Sequence, residues 1–224
     1  MSETAVESST VRRPQARSLR TQRKLLDAAI AAFSECGFKG TSTRDIAERA
    51  GVHHPLITYH FKNKDHLWRA AVDRIWDEFY DSLKTALADV DRDDAEAQMI
   101  ASIRAYVRYA QTQPALHKMI VMESSVPNER LDWLIGTHLK PFFEHAVSRI
   151  ERLQAGGIVP AGNPALIFNM LRGAAGSLAA LNLELKATSG VDLDSRDTVE
   201  ELADLVIRLF LPGQRQCLSG RPDR

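Results

Sequence analysis

Between Ser42 and Leu67 the chain reads STRDIAERAGVHHPLITYHFKNKDHL, and the breaks in it admit little besides two short helices joined by a sharp turn. Ser42 opens the stretch three residues before Asp45. The Ser42 hydroxyl can accept from the Asp45 amide while the carboxylate reaches back, a capping box. Ile46, Ala47 and Ala50 give the first helix one apolar face. Gly51 supplies the left-handed residue that ends it. Pro55 stands where a first helical turn tolerates proline, because its missing N–H would be unpaired there anyway. Leu56 to Phe61 makes the second helix, rimmed by His53, His54, Thr58, Tyr59 and His60. Helix, glycine turn and short polar helix is the layout of a helix-turn-helix, whose second helix enters the DNA major groove.

The rest of the chain reads as helices separated by Gly, Pro and acidic turns. Residues 1–18 are polar, carry Arg12, Arg13 and Arg17, and read as a disordered basic arm. Leu26, Ala29, Ile30 and Phe33 predict a helix over 19–36, stopped by Gly37. Asn63 is placed to cap a long helix over 64–90. Further helices are expected to about Thr112, over 115–125, over 131–153 with Pro141 kinking or splitting it, over 165–187 and over 198–211. No alternating strand pattern is present, so the expected fold is all-α. Its expected parts are a helix-turn-helix domain over 19–66, a larger helical ligand-binding and dimerisation domain over 67–212, and a disordered tail over 213–224.

Net charge is zero, with 29 Lys+Arg against 29 Asp+Glu, which alone would argue against a nucleic-acid partner. The distribution reverses that argument. Residues 10–69 carry 12 basic and 5 acidic side chains, and residues 70–224 carry 17 and 22. A basic module joined to an acidic one suits a DNA reader with a separate sensing body. No apolar run approaches the roughly 20 residues of a membrane-spanning helix, and no signal-peptide core opens the chain, so a soluble cytoplasmic protein is expected. Cys36 and Cys217 do not form a disulfide framework or a metal motif. Four of the seven histidines fall between His53 and His66. Adjacent His53 and His54 cannot both address one ion from a helix, so neither a metal nor a cofactor is expected. No G-x-S-x-G, Gly-rich phosphate loop or H-E-x-x-H is present, and an enzyme is not expected.

The run TSTRDIAERAGV, followed by PLI and YHFKNK, resembles the DNA-binding domain of the tetracycline-repressor (TetR) family over roughly residues 19–67. The resemblance rests on fixed offsets: T-x-R-x-I-A, A-G-V, the H-F pair and K-x-K. It implies DNA contacts from Thr43, Arg44, His53, His54, Pro55, Leu56, Thr58, Tyr59, His60 and Lys64. Thr43 and Arg44 sit in a first helical turn suited to phosphate. His53, His54 and Leu56 lie nearest the base edges, and Tyr59, His60 and Lys64 are placed for phosphates. Two positions depart from the family pattern. His53 stands where a small polar residue is usual, and Thr58 stands where a tyrosine is usual.

The resemblance also implies a ligand pocket in the body and a homodimer. Aromatic and Met candidates for the pocket are Trp76, Phe79, Tyr80, Tyr106, Tyr109, Met119, Met122, Trp133, Phe142 and Phe168. Polar candidates for orienting a ligand are His117, Glu123, His138 and Asn169. For the dimer, the 165–187 segment and the last helix carry matching stripes with Leu166, Gly173, Gly176, Ala180, Leu183, Leu202, Val206, Leu209 and Phe210. The pattern alone fits a four-helix interface about a two-fold axis and an internal core pair equally well. The resemblance favours the interface. The sequence-based reading is a repressor released from a palindromic operator by a small, mostly apolar effector. The alternative is a DNA-binding regulator with no small-molecule effector, acting architecturally or through a protein partner.

Overall fold

Every regular element among the described residues is helical, in a computed structural model that describes residues 7–213 and the side chains of residues 16–213. The helices are α1 (Glu7–Gly40), α2 (Thr43–Ala50), α3 (Pro55–Phe61), α4 (Lys64–Leu87), α5 (Ala95–Thr112), α6 (Ala115–Glu123), α7 (Glu129–Leu134), α8 (Lys140–Ala155), α9 (Pro164–Ala180), α10 (Asn182–Ser189) and α11 (Arg196–Phe210). The chain forms two compact units. The first runs to Asp77 and includes Lys118–Arg130; the second comprises Glu78–His117 and the chain from Leu131 onward. The expected boundary at residue 66 therefore falls inside the first unit, and the 118–130 segment belongs to it too. α4 begins in one unit and ends in the other as a single helix.

In the first unit, α1 packs on α2 and α2 on α3. Leu25, Ala29, Phe33, Ile46, Ile57, Leu67 and Trp68 are buried among them. Fully burying one such side chain contributes about 1.5–3 kcal/mol. Gly37 breaks the helical path of α1 at φ 66, ψ 177, as its position predicted, and one more turn follows to Gly40. The buried Thr41 hydroxyl then lies 2.7 Å from the Gly37 carbonyl and 3.1 Å from that of Ala32, serving the helix end. At the other end, residues 7–18 continue α1 as helix and are not the irregular arm expected. Residues 1–6 and the tail 214–224 lie outside the described residues.

Lys118–Arg130 is held by charge as well as packing. The Arg130 guanidinium lies 3.7 Å from the Phe38 ring centroid and donates to the buried Glu123 carboxylate at 2.9 Å. Glu123 and Met122, expected in a ligand pocket, are thus structural here. Met122 stands beside the Gly37 turn, and Trp76 and Met119 are buried in the same unit.

In the second unit, α5, α8, α9 and α11 share a core that includes Met99, Ile103, Val107, Ile150, Phe168, Ala203 and Ile207. Arg108 binds Glu200 through two parallel hydrogen bonds of 2.6 and 2.7 Å, joining α5 to α11. Ahead of Pro141 the helix widens into a single π turn, Ile135–Leu139, in which Lys140 donates to Ile135. Proline splits the segment, as expected, because it offers no N–H to the preceding turn.

The helix expected over 165–187 is instead two helices bent by 76° at Leu181. The Leu181 amide is shared between the Ser177 and Leu178 carbonyls, which tightens the last turn of α9. Asn182 then accepts from the Leu193 amide at 3.0 Å and donates to Asp194 at 3.1 Å. Those partners are distant in sequence, and the apolar period runs through the bend without interruption. No single described helix is long and apolar enough to cross a membrane.

Gly176 and Val206, expected on the dimer seam, both face inward. Val206 is in the core. A Cβ at Gly176 would lie 2.6 Å from His117 Nδ1 and 2.7 Å from the Tyr106 hydroxyl. Gly176→Ala should therefore destabilise the chain by about 1–3 kcal/mol through overpacking. Urea unfolding reads this directly, and an unchanged midpoint would mean that α9 does not approach these rings so closely.

Candidate nucleic-acid interface and ligand cavity

The Ser42 hydroxyl accepts from the Asp45 amide at 3.0 Å and caps α2. Only this half of the expected capping box forms. At the other end Gly51 adopts φ 64, ψ 39, its amide donates to Glu48, and Val52 donates to Ala47 at 3.0 Å. This pair of bonds is a Schellman closure, and only a residue at ease with positive φ closes it without strain. Pro55 starts α3, and Ile57 and Phe61 anchor it by burial.

The opposite face of α3 is open. Tyr59 is 76 % exposed, and His53, His54, Pro55 and Thr58 are exposed as well, with Leu56 and His60 half-buried. Thr43 Oγ1 and His54 Nε2 are 2.9 Å apart, tying the first turn of α2 to the start of α3. Arg44 is exposed beside them. The His60 ring meets Tyr59 edge-on, with centroids 5.0 Å apart.

Lys62 closes α3 in an unusual way. It has φ 65, ψ −57, the only positive φ outside glycine among the described residues. Asn63 donates back to the Phe61 carbonyl at 2.7 Å, a γ-turn of the rare positive-φ form. Asn63 Oδ1 then caps α4 by accepting from the His66 amide at 2.9 Å, as its position predicted. Lys64 follows, half-buried, with its ammonium 4.4 Å from the Phe38 ring centroid. Burial, and then the Arg130 charge, lower its pKa. It is more engaged with the protein than a free phosphate ligand would be.

The second unit holds a cavity of about 90 Å³ among α4, α5, α8 and α9. Of the expected pocket residues, Phe79, Tyr106, Phe142 and Phe168 line it. The others do not. Tyr109 packs on Phe79, Trp133 meets His138 edge-on, and His117 lies under Gly176. Tyr80 is exposed, and Asn169 faces out and accepts from Arg172. Burial pushes the Tyr106 phenol up to about 12, so it enters the cavity wall as a neutral hydroxyl. The sequence-based reading missed the polar wall: Ser102, His145, Arg149 and Arg172. Arginines on helices read as solvent-facing, and nothing local marks these two otherwise.

The remaining expected interface residues lie on α9, α10 and α11. Leu166, Leu183 and Leu209 are exposed, and Gly173, Ala180, Leu202 and Phe210 are half-buried. Met170 and Leu205, which the sequence-based reading passed over, extend the exposed apolar face.

A capped two-helix element with its second helix anchored on one side and bare on the other defines a helix-turn-helix DNA-binding protein. Residues 25–71 match the family described as bacterial regulatory proteins, tetR family. The chain is 27 % identical over 200 residues to the HTH-type transcriptional regulator RutR of Escherichia coli (strain K12), covering 87 % of this chain and 90 % of that protein. It is 25 % identical over 119 residues to the protein described as probable HTH-type transcriptional regulator YttP of Bacillus subtilis (strain 168), covering 53 % of this chain and 58 % of that protein. The structure of AibR in complex with isovaleryl coenzyme A and operator DNA shares the fold, with a TM-score of 0.70 at 16 % identity, covering 86 % of this chain and 98 % of that one. Residues 25–71 are thus a tetR-family DNA-binding domain, and over most of its length the chain is similar to a transcriptional regulator.

Two consequences are measurable. Arg44→Ala should weaken binding to all DNA sequences and make the salt dependence shallower by about one unit, as for one lost phosphate contact. His54→Ala should instead change the ranking of sequences in an operator library, and matching profiles for the two variants would reject this division. Lys62→Gly should raise the unfolding free energy by up to about 1 kcal/mol by relieving the backbone. Denaturant unfolding that shows no gain would remove strain from the account of this turn.

Proposed function

We propose that this chain is a homodimeric repressor that leaves a palindromic operator when a small, mostly apolar effector occupies the second unit. The observation that carries the proposal is the apolar cavity, walled on one side by Phe79, Leu83 and Leu87 of α4. The same helix runs back to Lys64, beside the reading helix α3. An effector that displaces the α4 end of the cavity would change where α3 stands. Two reading helices must be about 34–36 Å apart to enter successive major grooves, so a small displacement removes much of the specific affinity. AibR, by the description of its structure, binds both a ligand and operator DNA, and the shared fold makes the same pairing reasonable here. The protein would act where its DNA is, in the cytoplasm.

The dimer reading is supported by the exposed apolar residues of the last helices. Leu166 and Met170 lie on α9 at i, i+4, and Leu202, Leu205 and Leu209 on α11 at i, i+3, i+7. Leu209 is 69 % exposed. A second copy offering the same stripe would bury both faces in a four-helix contact. Leu209→Glu should shift sedimentation toward monomer and cut the advantage of a palindrome over a half-site. A dimer that survives this change would place the interface elsewhere.

Linkage sets the size of the effector response. A coupling of about 1–3 kcal/mol changes operator affinity roughly 5–150-fold, and operator DNA must weaken effector binding by the same factor. The test is operator binding by fluorescence anisotropy across a metabolite collection, with hits confirmed by calorimetry with and without DNA. Ala146→Phe, which fills the cavity, should keep DNA binding and abolish release. Release by a compound that still acts on Ala146→Phe would move the effector site away from this cavity. If no compound releases the operator, the effector-free regulator is the better reading.

A further inference from the structure

The mostly apolar cavity in the second unit has on its polar wall a buried arginine with no acid to answer it. Arg149 is only 7 % exposed. Its terminal nitrogens donate to Ser102 Oγ and to Gln98 Oε1, each at 3.0 Å, and one of them stands 3.3 Å from His145 Nε2. Its Nε–H has no partner. These partners are uncharged or basic, and among the described residues no carboxylate pairs with Arg149. Burial, and then the like charge of Arg152, lower its pKa. Arg172 lines the same cavity, and its Nε–H is likewise buried and unpartnered. Phe79, Leu83, Ile103, Phe142, Phe168 and Leu171 supply the apolar wall.

A buried cation without a counter-ion is expensive, and proteins normally pair it or neutralise it. Arginine stays charged at any physiological pH, so neutralisation is closed to it. The alternative, a purely structural arginine joining α5 to α8, would not by itself require a guanidinium without a carboxylate at the wall of a cavity. Two arginines on the wall of a mostly apolar cavity suit a ligand with an apolar body and a single planar anionic head. Arginine meets a carboxylate through parallel hydrogen bonds that are strongest away from water.

We infer that the cavity binds a small aliphatic or aromatic monocarboxylate, with Arg149 as its charge partner and Arg172 assisting. The inference rests on the effector reading above and narrows it from a mostly apolar molecule to an amphiphilic anion. The carboxylate supplies the charge that the fold omits, and its hydrocarbon part takes the phenylalanine and leucine wall. Binding therefore selects against the uncharged analogue of the same shape, which would leave the guanidinium unanswered.

The test uses the full chain, isothermal calorimetry and three probe series: the straight-chain acids from butanoate to octanoate with phenylacetate, their primary amides, and the corresponding alcohols. Acids should bind at least tenfold tighter than their amides. Arg149→Met, which keeps length and removes charge, should abolish that preference, and Arg149→Lys should retain part of it. Should Arg149→Met fail to fold by circular dichroism, Arg172→Gln provides the second reading and should reduce the preference several-fold. Amides binding as tightly as acids, no binding by any acid, or an acid preference that survives the loss of Arg149 would each overturn the inference. Operator release is measured separately. Acids that bind without releasing DNA would sink the effector reading and leave the carboxylate site standing. Amides that bind as tightly as acids and release DNA would do the reverse.

Discussion

The left-handed turn at Gly51 sets the angle at which α3 leaves α2, and the DNA-reading surface depends on it. Two backbone hydrogen bonds close α2 there, from Gly51 to Glu48 and from Val52 to Ala47. A residue with a Cβ would be strained at φ 64. With the angle set, Ile57 and Phe61 drop into the core and Thr58 and Tyr59 are left outside. The Thr43–His54 hydrogen bond then ties the two helix starts together across the turn. An exposed tyrosine gains little from burial in this chain. Its position becomes intelligible once a second molecule is expected on that face.

This part of the molecule was legible from sequence because its determinants are local. Ser42, Gly51, Pro55 and Asn63 each act on backbone groups within four residues, and all four do what their positions predicted. Lys62 was not legible. Its positive φ is imposed by the need to turn from α3 into α4, and a lysine carries no sign of it. The bend at Leu181 escaped for a related reason. It depends on Asn182 reaching Leu193 and Asp194 while the apolar period continues unbroken. The seam reading failed at Gly176 and Val206 because small and β-branched residues suit a subunit interface and a monomer core alike. Only the tertiary neighbours, His117 and Tyr106 at Gly176, separate the two.

Arg130 and Arg149, one in each unit, show how differently one side chain can be used. Arg130 faces a buried carboxylate, Glu123, and stacks on Phe38, so its charge is answered twice within the first unit. Removing Arg130 would leave the buried Glu123 carboxylate without its cation, a loss of about 3–5 kcal/mol. Arg149 has neutral acceptors and no acid. In sequence both are arginines among ordinary helical neighbours, and no pattern ranks one as a brace and the other as a binding group. Burial and partner identity make that distinction, and both are tertiary facts.

A cavity with an unanswered cation also bears on how a signal would leave it. A ligand that only filled apolar space would act on the fold through packing, which is short-ranged and tolerant of small rearrangements. One that neutralises Arg149 changes the electrostatic balance of α8, whose guanidinium is hydrogen-bonded to Gln98 and Ser102 of α5. Drawing Arg149 toward an anion would weaken those two bonds and let α5 and α8 adjust around the Phe79–Leu87 end of α4. Such a response requires the bound and empty arrangements to differ in affinity for the ligand, because a ligand that binds both equally shifts nothing. A charge on the cavity wall adds to that difference whenever the two arrangements hold Arg149 differently.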